Sequence, residues 1–203
     1  MSAYPLMLDG SALSAVVIGG GSVAARKASA LAAAGARVHV VAPEIVPEIE
    51  LLARDNTAVH ITRERYAISH IEDALLVIAA TNDSALNSLV AADARTRGRL
   101  VNVVSAPGEG NCITPATHRA GDVVVAVSAG GVPRAAARIR DALGRTYDER
   151  YAEAVRELAM LRRTMLDGGR RDRWSTAAAT LIDDDFCSAV ESGRFMDKAA
   201  EWR

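Results

Sequence analysis

Val16-Val17-Ile18 is a continuous apolar run that ends on Gly19-Gly20-Gly21, and from Ala24 to Ala34 the apolar spacing becomes helical. A strand buried on both faces, a glycine turn and a helix are therefore predicted in direct succession. A second strand, Arg37 to Val41, follows Gly35 and completes a β-α-β start. Val59 to Thr62 reads as a short strand, and Ala74 to Ala80 as a strand buried on both faces. Thr81-Asn82-Asp83-Ser84 is turn and cap chemistry, so a helix is predicted from about Ser84 to about Arg97, closed by Gly98. Leu100 to Val104 supplies one more strand.

Strands alternating with helices at this spacing predict an α/β chain with an open, Rossmann-like parallel sheet. The turns after Ile18, Val41, Ala79 and Val104 then share one edge, where ligands bind in such sheets. The pattern changes at the loop Pro107-Gly108-Glu109-Gly110-Asn111. Beyond it come a strand from Asp122 to Ser128, a turn at Gly130-Gly131 and a helix from about Pro133 to Leu143. From Tyr147 the chain reads as helix, with a stripe of Tyr151, Val155, Leu158, Leu161 or Arg162, and Met165. Gly168-Gly169 breaks it, a second helical stretch runs from Arg170 to about Ile182, and Asp183-Asp184-Asp185 reads as the cap of a third. The expected division is 1–112 for the sheet domain, 113–145 for a small α+β segment and 146–203 for an all-helical domain.

Half of the 203 residues are hydrophobic, enough for a substantial core. With 24 basic against 25 acidic side chains there is no global field to recruit nucleic acid. Cys112 and Cys187 are far apart and form no C-x-x-C pair, so neither a disulfide framework nor a cysteine metal site is indicated. Met1 to Gly10 has no basic segment leading into an apolar run, and no stretch approaches about eighteen uninterrupted apolar residues. A soluble, cytoplasmic protein without membrane partners is expected.

The sharpest chemical signal is the first turn, Gly19-x-Gly21-x-x-Ala24. Gly19 permits the tight turn, Gly21 lets backbone approach a pyrophosphate, and Ala24 leaves room for close helix-strand packing. Amides at the start of the following helix, with its positive dipole end, stabilise phosphate charge. Dinucleotide binding is expected; the alternative is a turn built for tightness alone.

With these motifs in order, the chain resembles the precorrin-2 dehydrogenase family of siroheme biosynthesis, including the dehydrogenase/ferrochelatase part of siroheme synthase. The resemblance is carried by Tyr4-Pro5-Leu6, Val17 to Lys27, Gly35 to Glu44, Val77 to Asp83, Leu100 to Val104, Ile113-Thr114-Pro115, the Gly130-Gly131 turn and Arg170-Arg171-x-x-Trp174. It implies oxidation of precorrin-2 to sirohydrochlorin with NAD as hydride acceptor, with insertion of ferrous iron in some members. It also implies a homodimer built by the middle segment. No methyltransferase segment is present, so the substrate is expected to arrive methylated.

By motif match the resemblance assigns Gly19, Gly21, Ser22 and Val23 to the pyrophosphate. Pro43 and Glu44 fall near the adenosine ribose, where a carboxylate favours NAD over NADP; Glu44 is alternatively a helix-cap charge. Ala80, Thr81, Asn82 and Asp83 would line the nicotinamide, or cap the next helix, or both. A substrate with eight carboxylates calls for arginines, and Arg63, Arg65, Arg119, Arg134 and Arg138 are candidates beside the reading that each is an ordinary surface residue. No resident metal is implied.

Two positions depart from the family. Its members carry an aspartate directly after the Asn-Val-Val strand, in the position thought to serve both reactions, whereas this chain has Ser105. Where they have a Ser-Pro pair after the double glycine, Val132-Pro133-Arg134 follows Gly131. A serine hydroxyl is no base at neutral pH without an activating partner. Three explanations stay open: water or a substrate carboxylate takes the proton; Glu109 or His118 replaces the aspartate; or the chain is a catalytically impaired NAD- or tetrapyrrole-binding module. A dehydrogenase for another small substrate is a further alternative.

Overall fold

The computed structural model describes residues 4–203, which fall into two units, one ending at Thr114 and one beginning at Pro115. In the first, strands β1 (Ser14–Ile18), β2 (Arg37–Val41), β3 (Val59–Thr62), β4 (Leu76–Ala79) and β5 (Leu100–Val103) form one sheet. Their order is β3-β2-β1-β4-β5 and every neighbouring pair is parallel. Ile18 is level with Val41 and with Ala79, and Ala79 with Val103. The chain therefore leaves β1, β2, β4 and β5 along a common edge, as the sequence predicts.

Alternation of side chains divides the apolar residues between two faces. Ala15, Val17, Val38, Val40 and Ile78 pack beneath helices α1 (Ser22–Ala33) and α2 (Pro47–Asp55), meeting Ala24, Ala28 and Ile49. Val16, Ile18, Val77, Val101 and Val103 face the other way, toward Val90, Ala91 and Ala94 of helix α3 (Ser84–Thr96). Ala24 is fully buried, consistent with the requirement for a small residue where α1 crosses the sheet. α1 starts two residues before the predicted Ala24. Helix α2 has no counterpart in the sequence reading: it opens with Pro47 and buries only Ile49, too little for a stripe to stand out.

The second unit opens with an antiparallel hairpin, β6 (Ala116–Ala120) and β7 (Val123–Val127), followed by α4 (Pro133–Thr146). Helices α5 (Glu149–Asp167), α6 (Arg171–Leu181), α7 (Phe186–Glu191) and α8 (Arg194–Ala200) come next. Their core is Tyr151, Ala154, Leu161, Met165, Leu181, Val190 and Phe195. β6 is a strand that sequence reading passes over, because Ala-Thr-His-Arg-Ala shows no apolar alternation. The acidic triplet does not cap as expected: α7 has no side-chain cap, and Asp185 instead pairs with Lys198 and Arg194. Among the described residues no helix is long and apolar enough to cross a membrane.

Candidate dinucleotide site

The glycine turn is wedged between the ends of β2 and β4. Gly19 donates its amide to the Val41 carbonyl at 3.0 Å and has φ +128°, a backbone conformation reserved for glycine. A Cβ on Gly19 would stand 2.4 Å from the Ala80 carbonyl oxygen, and one on Gly20 would stand 1.9 Å from that of Glu44. Gly20 is further fixed by the Val46 amide, which donates to its carbonyl at 2.9 Å. Gly21 differs: an added Cβ meets no protein atom within 4 Å. Two glycines are thus required by protein contacts, and the third borders free space at the mouth of α1.

That mouth is suited to an anion. Gly21 is the N-cap of α1, no side chain caps the helix, and no acidic residue stands in its first turn. The amides of Ser22, Val23 and Ala24 precede the first possible intrahelical bond, so they and the dipole end are available to phosphate oxygens. By contrast α3 is capped: Asp83 Oδ1 accepts from the Leu86 amide at 3.1 Å. Pro43 and Glu44 are exposed just beyond β2, and Glu44 reaches the turn through its carbonyl.

The segment after β4 is ordered by a residue that sequence reading missed. Asn87, on α3, is 1% exposed. Its Oδ1 accepts from the Thr81 amide at 3.1 Å and from the Thr81 hydroxyl at 2.8 Å. Its Nδ2 donates to the Thr81 carbonyl at 3.0 Å and to Ser105 Oγ at 3.3 Å. The available signal was a polar side chain on the apolar stripe Asn87, Val90, Ala91, Ala94. Ala80 and Thr81 are half-buried, while Asn82 and Asp83 are exposed.

Ser105 and Glu109 follow β5 and are both tied to α3, Ser105 through Asn87 and Glu109 through Ser88, whose hydroxyl donates to Glu109 Oε2 at 2.6 Å. An amide donor does not activate a serine as a base, so Ser105 lacks the partner that role needs. His118 lies in the second unit, where its Nε2 donates to the Tyr147 carbonyl at 2.8 Å and its ring lies against Gly144. Of the candidate arginines, Arg63 pairs with Glu50 at 2.5 Å. Arg65, Arg119, Arg134 and Arg138 are exposed. Among the described residues no group of three or more His, Cys, Asp or Glu side chains is arranged to hold a metal.

The model of the family described as "Putative NAD(P)-binding" matches residues 6–116. The solved structure of SirC, precorrin-2 dehydrogenase, superposes with a TM-score of 0.78 at 27% identity, covering 98% of this chain and 100% of that one. The chain belongs to this NAD(P)-binding family. Siroheme synthase of Chromobacterium violaceum is 37% identical over 207 residues, which cover 98% of this chain and 42% of the relative. That of Saccharophagus degradans is 36% identical over 169 residues, 82% of this chain and 36% of the relative. The chain therefore spans about two fifths of the length of these curated relatives.

The site fits the nicotinamide dinucleotide of the NAD(P)-binding family. The uncapped α1 amides and the open flank of Gly21 form a cradle that a side chain would obstruct. Lys27 stands further along α1, donating to the Thr114 hydroxyl. Burial pushes its ammonium below the ordinary lysine range, and neighbouring Arg26 adds to the effect.

Proposed function

We propose that this chain oxidises precorrin-2 to sirohydrochlorin, with NAD as the hydride acceptor. The observation that carries the reading is the open flank of Gly21 at the uncapped start of α1, in a chain that matches a precorrin-2 dehydrogenase along its whole length. Gly21, Ser22 and Val23 hold the pyrophosphate through backbone amides, while Gly19, whose own amide is committed to the Val41 carbonyl, makes the turn that presents them. Pro43 and Glu44 border the adenosine ribose, where the carboxylate of Glu44 repels the additional phosphate of NADP. Ala80, Thr81, Asn82 and Asp83 border the nicotinamide.

When bound, the nicotinamide supplies a hydride acceptor; the protein must orient the substrate carbon toward it and receive a proton from a neighbouring atom. Glu109 is the proposed base. Its Oε2 is held by Ser88, which leaves Oε1 to take the proton. His118 is given a structural part instead, because its Nε2 hydrogen is committed to the Tyr147 carbonyl and its Nδ1 side lies against Gly144. Arg65, Arg119, Arg134 and Arg138 are proposed to meet substrate carboxylates. Pyrrole nitrogens must lose protons as ferrous iron enters, and position 105 offers a hydroxyl, so the proposed reaction ends at sirohydrochlorin.

The chain is proposed to act in the cytoplasm as a homodimer assembled through residues 113–145, with 1–112 and 146–203 as the flanking domains. The test is anaerobic incubation of purified protein with precorrin-2 and NAD, following NADH and the pigment spectrum together. Both signals should rise in equal amounts, and added ferrous iron should leave the product unchanged. Dinucleotide binding without either signal would favour the impaired-module reading, which Ser105 supports.

A further inference from the structure

We infer that Asn87 is a positioning residue that sets the polarity of Ser105, making its hydroxyl a hydrogen-bond donor to an acceptor oxygen of the bound ligand. The inference rests on the reading of this cleft as the dinucleotide and tetrapyrrole site.

The orientation of the Asn87 amide is forced. The Thr81 amide can only donate and the Thr81 carbonyl can only accept, and both face Asn87, at 3.1 and 3.0 Å. Turning the Asn87 amide over would set donor against donor and acceptor against acceptor. Its Oδ1 therefore faces the Thr81 amide, and the second hydrogen of Nδ2 is directed to Ser105 Oγ at 3.3 Å. Ser105 is thus the acceptor in that bond, and its own hydrogen is left to give. Among the described residues no protein acceptor takes that hydrogen, and the residue is exposed. Asn87 is buried at 1% exposure with all its bonding groups engaged, so it holds this polarity without rearranging.

Two ligand oxygens have the required chemistry: the carboxamide oxygen of the nicotinamide and a carboxylate of the substrate. Ser105→Ala removes the donor. Asn87→Asp keeps an acceptor for the Thr81 amide and hydroxyl but has no hydrogen for Ser105, whose hydroxyl then turns inward to the new carboxylate. Ser105→Asp accepts from Asn87 and has nothing to donate.

NADH affinity is measured by calorimetry without substrate, and kcat and KM for precorrin-2 by turnover, for the wild type, the three single variants and the double variant Asn87→Asp/Ser105→Ala. About a five- to tenfold loss is expected in Ser105→Ala. It appears in NADH affinity if the carboxamide is the partner and in KM for precorrin-2 if a carboxylate is. Asn87→Asp should reproduce the loss, and the double variant should add nothing to it, because both changes remove one bond. If Asn87→Asp does not fold, Ser105→Asp must show the loss. Wild-type constants in Ser105→Ala or Ser105→Asp would overturn the inference, as would effects that multiply in the double variant. A wild-type protein that binds no NADH fails the dinucleotide reading itself, and the inference falls with it.

Discussion

The α-carbon of Gly20 faces the carbonyl of Glu44 so closely that a built Cβ would lie 1.9 Å from the oxygen. The backbone on both sides is held by the Val46 amide, so the contact cannot relax by moving one strand. Gly20→Ala, and Gly19→Ala with its φ of +128°, should destabilise the first unit by about 1–3 kcal/mol in urea unfolding. Gly21→Ala should unfold like the wild type and lose about 1.4 kcal/mol of NADH binding, a tenfold rise in Kd by calorimetry. A stability loss at Gly21 with unchanged binding would mean the turn is built for tightness alone.

Glu109→Gln preserves shape and the bond from Ser88 but removes the proposed base. A fall in kcat of about a hundredfold or more is expected, with NADH affinity unchanged. Ser88→Ala should give a smaller fall, since it frees the carboxylate without neutralising it. Stopped-flow measurement of NADH formation separates these effects from product release. A Glu109→Gln enzyme at full rate would pass the proton to water or to a substrate carboxylate.

His118 and Gly144 form one packing unit. A Cβ on Gly144 would lie 2.7 Å from His118 Nδ1, and the ring cannot retreat without breaking the 2.8 Å bond to Tyr147. Gly144→Ala should therefore cost about 1–3 kcal/mol. The same substitution should be nearly silent in a His118→Ala background, because the obstacle is gone. Thermal unfolding of the four proteins measures the coupling.

His39 introduces an acid dependence into the first unit. Burial, and then neighbouring His70 and His60, hold its imidazole below the ordinary histidine range, and its Nε2 bonds the Thr62 hydroxyl at 2.8 Å. The unfolded chain takes up this proton near about pH 6.5 and the folded chain only at lower pH. The stabilisation is complete above about pH 6.5 and is lost as pH falls through the folded value. Urea midpoints should decline more steeply on acidification for the wild type than for His39→Gln. Parallel curves would show that His39 carries none of the dependence.

The strands were legible because apolar runs such as Val16-Val17-Ile18 and Leu76-Val77-Ile78-Ala79 must be buried on both faces of a parallel sheet, whatever surrounds them. Local composition likewise revealed the glycine turn, though the motif stresses Gly19 and Gly21 and says nothing of the Glu44 carbonyl against Gly20. Asn87 and Ser105 are 18 positions apart, and their bond depends on how α3 lies across β5. That relation has no local signature. Glu157 was hidden for the same reason: it sits on the inward stripe of α5, and its carboxylate is buried against Arg203, 46 positions away.

Asn111 has a consequence for how copies of the molecule can meet. Its Oδ1 takes the Val101 amide at 2.7 Å, its own amide takes the Val101 carbonyl at 3.0 Å, and its Nδ2 reaches the Arg99 carbonyl at 2.9 Å. One side chain and one peptide thus imitate a stretch of sixth strand along the outer margin of β5. A foreign strand would find those ladder positions already taken, so sheet-to-sheet polymerisation is blocked at the margin bordering the loop that carries Glu109.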